Sequence, residues 1–275
     1  MPLTVRSLSP ALGAEVIGVD LREEIDEATR GAILDAWLKH HVLVFPGQDM
    51  TDAEHVRFCE MFGEIQPERL SAHLADRTYA GVHFVSNARP DAILPEGEIE
   101  FHMDQMQYDR PARAMSLYGI EVPRSGGETR FSNCHLAYEA LSDGMKRRVD
   151  GLKAENAYMH ESPNRLRKVT EREPEAPHAI HPVVRTHPVT GRKAIHVSPL
   201  ETDRILGVDP EESDRLLDAL FGMVEQERFV YQHRWRVGDL IVWDNRCVAH
   251  ARNDFDAVNE RRMLRRIAVM GEIPF

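Results

Sequence analysis

Apolar residues along the chain fall into two rhythms. The shorter one is alternation or a brief apolar run, which marks strands. Residues 14–20 alternate, and residues 41–45 form an apolar run stopped by Pro46-Gly47. Further β runs are expected at 114–120, 181–186, 193–197 and 229–237. The last joins residues 240–243 through Gly238-Asp239, a pair that predicts a hairpin. The longer rhythm has helical period. Residues 23–40 place Ile33, Leu34, Trp37 and Leu38 on one face. Thr51-Asp52-Ala53-Glu54 has capping-box spacing and opens a helix to Phe62. Residues 209–227 turn Leu216, Leu217, Leu220, Phe221 and Val224 toward a core.

Short strands, Gly/Pro turns and few helices predict a mainly β fold with flanking helices, a sandwich or barrel clad on the outside. Residues 65–100 and 158–178 show little periodicity. Loops that long are functional lids or disordered segments, and their mixture of polar and aromatic residues favours lids. With no repeat, linker or low-complexity stretch, one domain over residues 1–275 is expected.

Composition narrows the partners. The 275 residues are 42% hydrophobic and 29% charged, a soluble profile long enough for a substantial core. Net charge is −11 without a basic run, which argues against nucleic acid and anionic membranes. The first residues lack the apolar run of a signal peptide, and no stretch approaches the ~18 apolar residues of a membrane span. Cys59, Cys134 and Cys247 are scattered and odd in number, so reduced thiols and a cytoplasmic location are expected. Histidine is the unusual count, at 14.

His102-Met103-Asp104 is the one His-x-Asp/Glu in the chain, where chance gives about two. On a strand, residues i and i+2 share a face, so both side chains can reach one ion. A hydrogen-bonded polar pair is the plainer alternative. His250, directly after a predicted strand, changes the balance. Two histidines and one carboxylate make the facial triad of non-heme Fe(II) oxygenases, whereas zinc on the same ligands would point to hydrolysis. Beyond His250 lie Arg261, Arg262, Arg265 and Arg266. Guanidinium groups pair bidentately with carboxylates. Residues 266–270 read as a strand, so Arg262 and Arg266 share a face that can point inward.

Together these segments resemble the TauD/TfdA family of Fe(II)/2-oxoglutarate-dependent dioxygenases. The resemblance spans nearly the whole chain, from residues 13–21 and Val44-Phe45-Pro46-Gly47-Gln48 to residues 262–266. Between them stand His102-x-Asp104, Ser125-Gly126-Gly127-Glu128-Thr129, Val184-Arg185-Thr186-His187-Pro188, Trp243-Asp244-Asn245-Arg246 and His250. The C-terminal third is closer to the phenoxyacetate branch than to the taurine branch. The resemblance implies a double-stranded β-helix (jelly roll), with Fe(II) as cofactor and 2-oxoglutarate and O₂ as cosubstrates. His102, Asp104 and His250 match the iron ligands. Thr129 and Arg266 match the residues holding the C5 carboxylate of 2-oxoglutarate, Arg262 a second arginine near it, and Trp243 a tryptophan beside the site. The implied reaction hydroxylates an unactivated C–H bond of a small molecule and releases succinate and CO₂. Family members are commonly dimers or tetramers, so a homo-oligomer is expected.

The pocket residues differ from those of the taurine branch and look more polar. Arg69, Gln105, Tyr158, His160 and His196 are the candidates, which suggests a small polar or anionic substrate of phenoxyalkanoate, sulfonate or amino-acid-like type. Two other classes stay open: a non-catalytic metal-binding jelly roll, and a metal-dependent hydrolase.

Overall fold

The computed structural model describes residues 3–66, 81–90, 92–93, 97–157 and 177–275. The strands among them are β1 (Thr4–Ser7), β2 (Ala14–Ile17), β3 (Val42–Phe45), β4 (Val82–Ser86), β5 (Ile99–His102), β6 (Ala114–Glu121), β7 (Thr129–Asn133), β8 (Lys153–Ala157), β9 (His178–Pro182), β10 (Val184–Thr186), β11 (Lys193–Ile195), β12 (Thr202–Leu206), β13 (Val230–His233), β14 (Leu240–Asp244), β15 (Val248–Arg252) and β16 (Met263–Val269). The helices are α1 (Glu27–His40), α2 (Asp52–Glu60), α3 (Cys134–Glu139), α4 (Asp143–Val149) and α5 (Pro210–Val224). None is long and apolar enough to cross a membrane.

Two sheets make the core. The larger has the order β1-β2-β3-β14-β6-β16-β4, the smaller β13-β7-β15-β5. From β5 onward the core strands alternate between the two sheets, except that β7 and the next core strand, β13, both lie in the smaller one. β5, β7, β13 and β15 lie in the smaller sheet, and β6, β14 and β16 in the larger. That alternation is the jelly roll, in its open form rather than as a closed barrel. Strands β8, β9 and β12 form a separate three-stranded sheet, and β10 pairs with β11.

The all-apolar strand β3 shows why alternation fails as a guide here. Val42 and Val44 enter the core between the two sheets, while Leu43 and Phe45 enter a second core under α1 and α2. A strand buried on both faces reads as a continuous run. β6 divides likewise, with Met115 and Leu117 between the sheets and Ala114 and Tyr118 under the helices.

The helices follow their sequence signals closely. Asp26 caps α1, whose Ile33, Ala36 and Trp37 are buried while Leu34 and Leu38 pack against the same cluster half-buried. Thr51 and Glu54 form the reciprocal capping box of α2. Asp209 caps α5, followed by Pro210, and Leu216, Leu217, Leu220, Phe221 and Val224 are all buried.

Several strand expectations need correction. Gly238-Asp239 does not close a hairpin. β13 pairs with β7 and β14 with β3 and β6, so this turn carries the chain from one sheet to the other. The turn is held on β6 instead, by Gly238 N to Gly119 O (2.8 Å) and Gly119 N to Asp239 O (2.9 Å). The strand expected at 181–186 is broken at Val183, whose two sides join different sheets. Within the stretch expected to lack regular structure, Val82–Ser86 is a fully buried strand paired with β16.

Candidate active site

The two histidines meet because β5 and β15 are antiparallel neighbours in which His102 and His250 are direct cross-strand partners. Their ring centroids are 4.1 Å apart. The register slips between His250 and Arg252, a bulge of the kind that re-aims side chains at sites. Asp104 lies two residues past the end of β5, in a turn whose next residue, Gln105, has a φ of 70°. The candidate donor atoms of His102, Asp104 and His250 all lie within 4.8 Å of one another.

Two of the three donors are prepared by a second contact. His102 Nδ1–H donates to the Glu100 carbonyl at 2.8 Å, which fixes the tautomer and leaves Nε2 with its lone pair free. Arg266 Nη2 donates to Asp104 Oδ1 at 2.5 Å. The other oxygen, Oδ2, is buried, has no hydrogen-bond partner, and stands 3.4 Å from His250 Nε2. Asn245 clamps the aspartate backbone from both sides. Its Oδ1 accepts from Asp104 N and its Nδ2 donates to Asp104 O, each at 3.0 Å.

Electrostatics select the metal-ready protonation states. Burial pushes His250 down to about 3, helped by the neighbouring His102, and burial likewise lowers His102. Burial alone would raise Asp104, but the charge of Arg266, then those of the histidines, outweighs it and holds the carboxyl at about 2. At neutral pH the cluster is therefore two neutral imidazoles and one carboxylate, the set a divalent cation requires. An orphaned carboxylate oxygen facing two imidazole nitrogens fits Fe(II).

These residues line a pocket of about 440 Å³ that also holds Thr129, Trp243, Arg252, Arg262 and Arg266. Its apolar wall is Val85, Ile99, Leu117 and Ala251. Three guanidinium groups against one carboxylate stand out in a chain of net charge −11.

Of the three arginines Arg262 is the least exposed to water. It is 2% accessible, its Nε donates to Gly127 O at 3.2 Å, and no carboxylate faces it among the described residues. Burial, then the charge of Arg252, lowers it to about 9. The Ser125–Thr129 loop makes this contact possible. Gly126 and Gly127 have φ of 75° and 68°, and a Cβ on Gly126 would sit 2.4 Å from Asp254 O. Only glycine allows that backbone path. Thr129 Oγ1 accepts from Trp235 Nε1 at 2.9 Å, so its own O–H remains available to a ligand. Trp243 packs on His250 at a 4.7 Å centroid distance and on Phe131 at 5.4 Å.

Seven of the residues singled out from sequence thus converge on one pocket: His102, Asp104, Thr129, Trp243, His250, Arg262 and Arg266. The substrate candidates among the described residues do not join them. Arg69, Tyr158 and His160 lie outside the described residues. His196 is buried beside His181 rather than on the pocket wall, and Gln105 is half-buried at its turn, also off the wall. Sequence reading missed Arg252, Asn245 and Trp235. Arg252 was accessible to it, two positions from His250 on one strand. Trp235 carried no local signal.

The family model for taurine catabolism dioxygenase TauD, TfdA family, matches residues 4–268. The chain belongs to this family. It is 30% identical to the alpha-ketoglutarate-dependent 2,4-dichlorophenoxyacetate dioxygenase of Cupriavidus pinatubonensis, over 99% of both chains. It is also 30% identical to the alpha-ketoglutarate-dependent sulfate ester dioxygenase of Pseudomonas putida, over 100% of this chain and 91% of the other. Among solved structures, AAD-2 in complex with Mn(II) and N-oxalylglycine superposes with a TM-score of 0.84 at 31% identity, covering 100% and 99% of the two chains. This TauD/TfdA enzyme is accordingly an oxidoreductase, a dioxygenase dependent on Fe(II), 2-oxoglutarate and O₂. The non-catalytic and hydrolytic alternatives give way to that reading.

Proposed function

We propose that His102 Nε2, Asp104 Oδ2 and His250 Nε2 hold Fe(II), and that 2-oxoglutarate spans from this centre to Arg262 and Thr129. Bound iron supplies O₂ activation coupled to decarboxylation of 2-oxoglutarate, and the outcome is hydroxylation of an unactivated C–H bond. The protein's own residues bind, orient and shield. The observation that carries the reading is Arg262, a buried guanidinium without a counter-charge in the pocket that holds an orphaned aspartate oxygen. A dicarboxylate neutralises it. N-oxalylglycine, a dicarboxylate of the same length as 2-oxoglutarate, is the molecule bound by AAD-2.

The resemblance gives the C5 carboxylate to Thr129 and Arg266. Local geometry favours Thr129 and Arg262 instead. Arg266 is committed to Asp104 Oδ1, where it keeps the aspartate ionised and turns Oδ2 toward the metal. Its place beside the metal centre suits the acid group of the primary substrate. The positive excess of the pocket and its apolar wall favour an anionic substrate with an apolar body, such as a carboxylate, sulfate ester or sulfonate. Relatives named for a phenoxyacetate and for sulfate esters support that class. The three cysteines are free and buried, which supports a reducing, cytoplasmic setting, and the resemblance supports a dimer or tetramer.

The test is anaerobic titration of metal-free protein with Fe(II) and 2-oxoglutarate, followed by visible absorbance. A weak metal-to-ligand charge-transfer band is expected in wild type, and Arg262→Ala should require far more 2-oxoglutarate to develop it. Folded wild-type protein with no band, or an unchanged titration in the variant, overturns the assignment. Succinate release across carboxylates, alkyl sulfates and sulfonates then defines the substrate.

A further inference from the structure

A second cluster of metal-type side chains lies outside the pocket. His41 follows the last turn of α1 with φ of 63°, His135 sits in the first turn of α3, and Cys247 lies in the turn between β14 and β15. One donor atom from each lies within 4.8 Å of the others, and Cys247 Sγ is 3.6 Å from His41 Nδ1. All three residues are buried, with His135 and Cys247 at 0% exposure.

Hydrogen bonding shows which atoms are uncommitted. His135 Nδ1–H donates to the Lys193 carbonyl at 2.9 Å, so its Nε2 carries a lone pair. That nitrogen is buried and has no partner. An unsatisfied buried acceptor is costly, and native proteins avoid it unless something fills the place. The adjacent His187 is not available. Its Nδ1 accepts from the amides of Val189 and Thr190, and its Nε2–H donates to Asp244. Asp244 is saturated as well, by three bonds from Arg246 (its amide and its guanidinium twice) and the one from His187. Neither His187 nor Asp244 therefore fills the open position, which leaves His41 and Cys247 as the donors beside His135.

We propose that His41, His135 and Cys247 form a second metal site, separate from the pocket, for a thiolate-seeking ion of the zinc class. One sulfur and two imidazole nitrogens are donors that such an ion selects; they leave one tetrahedral position for a water or small anion, and their burial away from the pocket keeps the ion out of turnover. The ion would tie the end of α1 and the start of α3 to the turn that leads into β15, and so would brace the strand bearing His250. Binding releases the thiol proton and belongs to folding rather than to turnover.

Cobalt(II) separates this site from the pocket, because only a thiolate ligand gives an intense near-ultraviolet sulfur-to-cobalt charge-transfer band. The full chain is refolded with cobalt. Wild type and Asp104→Ala should both develop the band to one equivalent, zinc should displace it, and Cys247→Ser should lose it. Folded wild type without the band, or a band that survives Cys247→Ser, overturns the proposal. If Cys247→Ser does not fold, His135→Asn decides, since an unchanged band there also overturns it. None of these readings depends on iron or 2-oxoglutarate, so failure here leaves the dioxygenase assignment untouched.

Discussion

Asp104, largely buried, and Asp244, fully buried, each lie beside a histidine and an arginine, yet they do different work. Asp244 gives both oxygens to the Arg246 guanidinium at 2.7 Å, and the Arg246 amide at 3.1 Å and His187 at 3.0 Å add two more bonds. Burial works against its ionisation, but Arg246 outweighs burial and holds it well below the usual carboxylate range. Asp104 gives one oxygen to Arg266 and keeps the other free. The saturated aspartate is a structural knot. The one with a remaining lone-pair position is a ligand in waiting. Burial, charge and histidine neighbours are common to both, so the count of unfilled donor positions is what separates a site from a brace.

Exchanging the two roles by mutation breaks the comparison most sharply. Asp104→Ala should drop succinate release to background while the protein still melts cooperatively. Asp244→Ala should instead cost about 3–5 kcal/mol of stability, since Arg246 is left as an uncompensated buried charge. Urea unfolding of both variants checks this, and the comparison fails if Asp104→Ala is the less stable of the two. Next in size is Arg262→Ala, which should raise the KM for 2-oxoglutarate by roughly 10- to 100-fold, the ~1.5–3 kcal/mol of a hydrogen bond to a charged group. Its kcat at saturating cosubstrate should change less, which steady-state kinetics will resolve. Asn245→Ala should lower metal affinity or activity by about tenfold, the low end for groups that orient a ligand from behind. That loss should appear without a change in substrate preference, whereas a shift in preference would place Asn245 in a different role.

A last expected effect is on pH dependence. His41 and His250 are lowered by burial to about 3 and His135 to about 4, from 6.5. The unfolded chain takes up these protons near pH 6.5 and the folded chain only near 3 to 4. Metal-free protein should therefore lose stability as pH falls below about 6.5, by up to about 1.4 kcal/mol per pH unit for each proton. Asp104, depressed to about 2 from 3.8, adds stability that is present above pH 3.8 and is lost as pH falls through 2. Denaturant titrations at pH 7, 6 and 5 test the histidine part, and a flat profile would contradict it.

Much of the site was legible before any fold was known, because its chemistry is carried by residue types in short local patterns. His102-x-Asp104 needs only the two-residue period of an extended chain. The glycine pair before Thr129 announces a left-handed turn, and it is the turn on which Arg262 rests. The capping box of Thr51 and Glu54 is equally local and is realised. The Gly238-Asp239 turn shows the limit. Its residues specify a reversal, but which strands flank it in a sheet depends on partners far along the chain.

The sequence by itself determined the donors, the cations and the helices, since ligand chemistry, capping and helical period act over a few residues. Only the tertiary structure decided which of those groups are free. Asp104 and Arg266 are 162 positions apart, and Asn245 reaches Asp104 across 141. Whether a buried oxygen ends satisfied or open depends on such contacts, which jelly-roll pairing creates and no local pattern encodes.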